Sequence, residues 1–169
     1  MELDTRQTHD HRCTEDFLSF LDAGLRFVAV VCCGAFAGAA IYINLVEHPA
    51  RMEGGTALAL TEWVPSYRRA TRMQAPLAVV GGLAALGAWL TGAGGGWLLG
   101  GLLLVSVVPF TLIVLMPTNR ALQALASGQD VAGAATLLAR WNRLHAVRSV
   151  VSGTAFVLFL WLLLWRGPR

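Results

Sequence analysis

Residues 25–46, LRFVAVVCCGAFAGAAIYINLV, decide the fold, because nearly all of them are apolar or small. A helix needs about 20 such residues to cross the hydrocarbon core of a bilayer. A run of this length and composition predicts a membrane-spanning helix, since strands and short core helices have shorter apolar stretches.

Three further stretches of similar character follow, at residues 73–91, 97–116 and 146–165. The chain of 169 residues is 56% hydrophobic and only 14% charged, more apolar than one soluble core can accommodate. We therefore predict an all-α integral membrane protein, a four-helix bundle with up-down-up-down topology that crosses the cell membrane four times. Residues 1–24 would form a polar N-terminal tail and residues 25–169 the spanning domain.

The predicted bundle has two unlike ends. Spans two and three are joined by a short glycine-rich turn, whereas residues 47–72 and 117–145 form long connections with many charged and aromatic side chains. In an up-down bundle these two extended connections lie on the same side. The chemically capable residues are thus expected at one end.

Spacing along the last connection predicts a helix that starts before span four. Asp130 is a typical N-cap residue, and Trp141, His145 and Arg148 recur at helical intervals after it. These three side chains would form one inward-facing stripe. In the third span, Pro117 is expected to end the helix.

Cysteines indicate neither a disulfide framework nor a thiol redox site. Cys13 lies in the polar tail, and Cys32 and Cys33 are neighbours inside the first span. Adjacent cysteines rarely bridge each other, so both are expected to pack as small apolar residues.

Two histidines are predicted at matching depth, His48 after span one and His145 before span four. Either can act as a general base, a hydrogen-bond donor or a metal ligand. The Glu47 carboxylate lies close to hydrocarbon and therefore requires a partner. Arg148 or Arg51 could neutralise its charge. A structural ion pair and a catalytic carboxylate both remain open for Glu47.

Cofactor chemistry is the less favoured interpretation of this cluster. Glu47, His48 and His145 resemble the ligands of a two-histidine, one-carboxylate iron site, but neighbouring residues of a helix point about 100° apart. A haem held by His48 and His145 is a second alternative. We predict no cofactor and no metal, and keep iron and haem as alternatives.

Four segments of the sequence are similar to those of a known family. They are YINLVEHPAR (42–51), WVPSYRR (63–69), PTN (117–119) and WNRLHAVR (141–148). In these the chain resembles the anthrone oxygenases, small four-helix membrane proteins. The resemblance implies an oxidoreductase that inserts oxygen into an activated aromatic methylene and so forms a quinone.

The leading hypothesis is therefore a membrane-embedded oxygenase acting on a hydrophobic aromatic substrate. In it His145 is the base, tuned by His48 and Glu47, Arg148 holds the developing oxyanion, and Asn119 orients the substrate. The predicted substrate contacts are Trp63, Tyr67, Trp141 and Arg68, although the three aromatic residues equally suit an interfacial belt.

Lipid and a hydrophobic small molecule are the expected partners, without nucleic acid, and a homo-oligomer is compatible with the sequence. The alternative function is a non-catalytic membrane protein, either a small transporter or an accessory subunit. No acidic residue lies within any predicted span, which counts against proton-coupled transport.

Overall fold

The computed structural model describes the backbone of residues 2–128, 131 and 133–165, with side chains from Thr14 onward in these ranges. In chain order the helices are α1 (Glu2–Tyr42), α2 (His48–Glu53), α3 (Thr56–Ala88), α4 (Gly95–Phe110), α5 (Met116–Gly128) and α6 (Ala134–Leu164). π-helical segments, Ile43–Glu47 and Thr111–Leu115, join α1 to α2 and α4 to α5. No strand occurs in the described residues, so the all-α prediction is confirmed.

The long helices form a closed ring in which α1 packs against α3 and α6, and α4 packs against the same two. Four continuous helical stretches are long and apolar enough to cross a membrane, namely Thr14–Glu53, Thr56–Ala93, Gly95–Ser127 and Ala134–Leu164. Large apolar side chains such as Leu83, Ile113 and Val150 are exposed on their outer faces. Such a surface suits lipid, and the predicted four-helix membrane bundle is confirmed.

Both long connections are mainly helical and extend the spanning helices beyond the bilayer-length segments. The chain reverses after α2 at Gly54 and Gly55, the latter with a φ of 89° that favours glycine. At the other end, Gly92 and Gly94 have φ values of 97° and 96° in the turn before α4. Polar side chains on a helix surface do not disrupt its backbone hydrogen bonds. The change from apolar to polar composition after each span therefore did not mark the end of a helix.

The N-terminal segment, predicted as a polar tail, is helical where the structure describes it. Helix α1 begins at Glu2, so the described backbone of the predicted tail continues the first spanning helix. From Thr14 to Gly24 nearly all side chains are exposed, which fits a helix that projects beyond the bundle.

Pro117 does not end the third helix, and that prediction is wrong. A proline has no N–H and clashes with the carbonyl four residues earlier, which here belongs to Ile113. Ile113 lies in the π-helical segment Thr111–Leu115, where the Met116 N–H bonds the Thr111 carbonyl five residues back. The wider turn accommodates the proline and lets the helix continue.

The same arrangement occurs in the first helix at Pro49. The carbonyl four residues earlier belongs to Leu45, inside the π-helical segment Ile43–Glu47, and the His48 N–H bonds the Ile43 carbonyl. Both widened turns lie in helices that run in the same direction. They therefore fall at a similar depth, at the end where the long connections lie.

Two apolar clusters fill the bundle. The first includes Phe36, Trp97 and Phe159, and the second lies nearer the long connections around Trp63 and Trp141. Along α3 and α6 the buried polar residues fall between them, and these are Gln74, His145, Ser149 and Ser152. The bundle interior thus has a polar layer between two apolar ones.

Helix α6 confirms the inward-facing stripe, with Trp141 and His145 buried and Arg148 partly so. Asp130, the predicted N-cap, lies outside the described residues. Cys32 and Cys33 are buried and free, as predicted, and the Cys33 thiol lies 3.6 Å from the Ser152 carbonyl oxygen.

Gly100→Ala tests the packing of α4 against α6. A β-carbon at Gly100 would overlap the ring of Phe159, which is fully buried and has no room to move. We expect a loss of about 1–3 kcal/mol in stability, measured as a lower Tm in detergent. Gly38→Ala is the control, because its β-carbon meets no atom within 4 Å. Equal Tm values for the two variants would contradict the packing.

Candidate functional site

Helix α6 brings three polar side chains and one aromatic ring to the bundle interior. Trp141 precedes His145 by four residues, and Arg148 and Ser149 follow it by three and four, so each lies on the His145 side of the helix. His145 is only 2% exposed, and its ring centroid lies 4.8 Å from that of Trp141.

Asn44, in the π-helical segment Ile43–Glu47, connects the first helix to α6. Its Nδ2 donates to the backbone oxygen of Asn142 at 3.0 Å and to the Asn142 Oδ1 at 2.6 Å. Its Oδ1 lies 2.9 Å from His145 Nδ1 and accepts a hydrogen bond from Ser149 Oγ at 2.5 Å.

These contacts fix the tautomer of His145. A backbone carbonyl only accepts hydrogen bonds, so the side of the Asn44 amide facing Asn142 must be the nitrogen. Its oxygen therefore faces His145, and Nδ1 must carry the proton. In the neutral imidazole, Nε2 then holds the free lone pair, which is the arrangement of a general base.

Asn44 was not among the site residues predicted from the sequence, although it lies in the segment 42–51 that resembles the family. An amide side chain inside a spanning helix is costly unless it is hydrogen-bonded. The presence of Asn44 in the first span could therefore have indicated a polar partner on another helix. Its partner was not predictable, because the rotation of the first helix against α6 depends on the widened turn.

Arg148 places a partly buried cation beside His145. Its Nη2 donates to Gln74 Oε1 at 2.8 Å, and its guanidinium carbon lies 5.3 Å from the Phe36 ring centroid. None of the described carboxylates lies within ion-pair distance of Arg148. A cation in an apolar bundle without a counter-charge is costly, so this position favours an anion.

Glu47 is not the partner of Arg148. It forms an ion pair with Arg51, and it accepts a hydrogen bond from Ser66 Oγ at 2.8 Å. Of the two arginines that the sequence offered as partners, the structure selects Arg51.

A small cavity of about 20 Å³ lies beside these groups and is called the inner cavity here. Its lining includes Trp63, Tyr67, Gln74, Trp141, His145 and Arg148. Four nitrogens of these residues lack a hydrogen-bond partner among the described atoms, namely Trp63 Nε1, Gln74 Nε2, Trp141 Nε1 and Arg148 Nε.

All four unpaired groups are N–H donors. Leaving a buried donor unpaired costs about 1–3 kcal/mol, so their concentration around one cavity indicates a ligand that accepts hydrogen bonds. Together with the Arg148 charge, they suit an oxygen atom carrying negative charge.

The three predicted aromatic contacts come together at the inner cavity. Trp63 stacks on Tyr67 with ring centroids 4.9 Å apart, and Trp63 and Trp141 pack edge to face with ring centroids 5.8 Å apart. The predicted contact Arg68 does not join them. It is exposed and lines a separate groove between α3 and α5.

His48 and Asn119 take different positions. The His48 ring contacts Trp141 at a centroid distance of 5.6 Å, so both histidines touch the same indole. Asn119 is fully buried, and neither its amide oxygen nor its nitrogen has a partner within the described part of the chain.

The described side chains of this region do not form a ready metal-binding site. Among the side chains that the structure describes, no group of three His, Cys, Asp or Glu residues is placed to hold a metal ion. Glu47, His48 and His145 are not among such a group in the described residues, and the iron and haem alternatives stay untested. The prediction that no cofactor is needed stays a prediction.

Helices of membrane-spanning length that enclose a base, a cation and unpaired donors define a helical membrane protein with a buried polar site. The sequence profile described as anthrone oxygenase matches residues 63–158, more than half of the chain. The chain belongs to the anthrone oxygenase family, as its resemblance suggested.

One curated relative is the protein named anthrone oxygenase ptaC of Pestalotiopsis fici (strain W106-1 / CGMCC3.15140). It is 42% identical over 65 residues, which cover 33% of this chain and 46% of the relative. The chain thus matches about half of the length of that protein. No solved structure matches the chain.

Nuclear magnetic resonance of ¹⁵N-labelled histidine tests the assigned tautomer. We expect neutral His145 to carry its proton on Nδ1, because Asn44 Oδ1 can only accept, and the Asn44→Leu variant should lose this preference. The variant His145→Gln assigns the signal, and Ser149→Ala, which leaves the Asn44 oxygen in place, is the control. A wild-type imidazole protonated on Nε2 alone would contradict the hydrogen-bond assignment.

Proposed function

We propose that the protein oxidises the activated methylene of a hydrophobic, anthrone-type substrate to a quinone carbonyl with dioxygen, within the cell membrane. The single observation that carries this proposal is the inner cavity, where the free lone pair assigned to His145, the unpaired Arg148 charge and four unpaired donors meet. Membership of the anthrone oxygenase family supports the same class of reaction.

The first step is removal of one proton from the substrate methylene by His145 Nε2. The negative charge left behind delocalises onto the carbonyl oxygen of the substrate. Arg148 and the unpaired N–H donors stabilise this oxyanion more strongly than the neutral carbonyl, and this difference lowers the barrier.

The second step is reaction of the anion with dioxygen. Electron transfer to dioxygen and formation of the carbon–oxygen bond give a peroxide at the former methylene carbon, which takes a proton from the His145 imidazolium. Loss of the remaining C–H proton and cleavage of the O–O bond leave a carbonyl and one water. The carbon loses four electrons and the two oxygen atoms gain them.

The other residues of the site support these steps. Asn44 acts as a positioning residue, since it holds Nε2 of His145 unprotonated. Trp63, Tyr67 and Trp141 offer ring faces and edges to a flat substrate. His48 acts through Trp141, and Glu47 acts through Arg51, so neither contacts the reacting atoms in this proposal. The role of Asn119 in orienting the substrate stays a prediction, since Asn119 is buried on α5 and lines neither the inner cavity nor another described groove.

His145→Gln should lower kcat for quinone formation by about 10²–10⁴-fold, because it removes the base while keeping a polar side chain of similar size. The purified protein is assayed with an anthrone under oxygen, by quinone absorbance and oxygen uptake. His48→Gln is the matched control and should retain most of the activity.

Two results would contradict the proposal. The first is wild-type protein that does not accelerate quinone formation although it binds the substrate, as an accessory binding subunit would. The second is a folded His145→Gln variant with wild-type kcat.

A further inference from the structure

The inner cavity is too small for the proposed substrate. At about 20 Å³ it holds roughly one or two waters, whereas pockets for organic ligands measure about 300–1,000 Å³. The reacting edge of a molecule with several rings must therefore reach the cavity from a larger site outside it.

A groove of about 780 Å³ lies between the first helix and α3, and it is called the outer groove here. Its lining is mainly apolar, with Ala39, Val46, Ala50, Leu58 and Met73 among the residues. Tyr42, Val46, Leu58 and Met73 are also well exposed, so the groove opens on the side of the bundle. Tyr42, Val46 and Met73 belong to the predicted spans, so a hydrophobic molecule dissolved in lipid reaches the groove from this end.

The outer groove and the inner cavity share one wall. Ile43, Arg51, Ser66 and Ala70 line both spaces. A single layer of side chains therefore separates a groove large enough for the substrate from the cavity that contains the base.

Polar contacts hold this wall closed. Ser66 on α3 donates to Glu47 on the first helix, and Glu47 pairs with Arg51, so the two helices are linked across the shared wall. Arg51 is 8% exposed, and its Nε lies 4.0 Å from Glu62 Oε2. Side-chain rotation at Glu47 and Ser66 is enough to break the link.

Two other grooves lack this connection. The groove between α3 and α5, which contains Arg68, shares no lining residue with the inner cavity. The groove of about 360 Å³ between α1 and α6 reaches Asn44 and Ser149, on the Nδ1 side of His145 that is already occupied.

We propose that the outer groove is the substrate-binding subsite. It holds the rings of a flat, oxygenated aromatic molecule that arrives from lipid, and its reacting edge passes the wall of Ile43, Arg51, Ser66 and Ala70 when the Ser66–Glu47 contact opens. Arg51 then lies beside the substrate oxygens and selects phenolic or carbonyl groups. This inference rests on the proposed function for the identity of the ligand.

Ala50→Trp tests the subsite by filling it. Ala50 is exposed and lines the outer groove but not the inner cavity. The matched control is Ala57→Trp, because Ala57 is also exposed but lines the α3–α5 groove. Binding of a hydroxylated anthraquinone, which does not react, is measured by fluorescence on the full-length protein in nanodiscs, beside oxygen uptake with an anthrone.

We expect Ala50→Trp to raise Kd for the anthraquinone and KM for the anthrone by about tenfold or more, and Ala57→Trp to change them less than about twofold. Equal effects of the two variants, or a larger effect of Ala57→Trp, would overturn the subsite. If Ala50→Trp lowers the Tm, Val46→Trp replaces it, since Val46 is exposed and lines the same groove.

The measurement of anthraquinone binding distinguishes a failure of this inference from a failure of the proposed function. Turnover by wild-type protein with unchanged binding in Ala50→Trp overturns the subsite and leaves the function standing. Anthraquinone binding that Ala50→Trp weakens, without any turnover by wild-type protein, supports the subsite and overturns the function.

Discussion

A partly buried guanidinium among apolar helices, without a described carboxylate partner, is the constraint on which the site depends. Arg148 reaches only an amide oxygen of Gln74 and the face of Phe36 among the described side chains. Burying an unbalanced charge opposes folding, so a stable protein must gain something from it. The proposed function would account for this cost, because an uncompensated positive charge stabilises an anionic intermediate placed beside it.

Two prolines, which the helices accommodate, affect the backbone geometry at this end of the bundle. Pro49 and Pro117 each follow a π-helical segment instead of ending a helix. The first of these segments carries Asn44, whose amide links the first helix to His145 on α6. His145, the proposed base, is therefore oriented by a residue that lies in a local departure from α-helical geometry, as is common for π-helical turns at functional sites.

Much of the fold and part of the site could be predicted from the sequence. The four apolar runs predict the four spanning helices, because a helix that crosses the bilayer needs about 20 apolar residues and lipid solvates its outer face. Spacing of three and four residues places Trp141, His145 and Arg148 on one face, because the helical period is fixed. The family resemblance rested on the same stretch together with residues 42–51, 63–69 and 117–119.

Contacts between helices could not be predicted in this way. The pairing of Asn44 with His145 and of Gln74 with Arg148 depends on how each helix is rotated in the bundle. Glu47 had two candidate arginines, and the one that pairs with it, Arg51, lies four residues later on the same helical stretch, whereas its second contact, Ser66 on α3, depends on helix packing. Arg68 follows Tyr67 directly, but consecutive helical residues point about 100° apart, which places Arg68 outside the site.

The most direct measurement of the central claim is the absorbance spectrum of a bound anthrone in the absence of oxygen at neutral pH. If the buried Arg148 and the unpaired donors stabilise the deprotonated substrate, the wild-type protein should show the red-shifted spectrum of the anion, and Arg148→Met should show the neutral spectrum. A substrate that binds to wild-type protein and stays neutral would contradict the account.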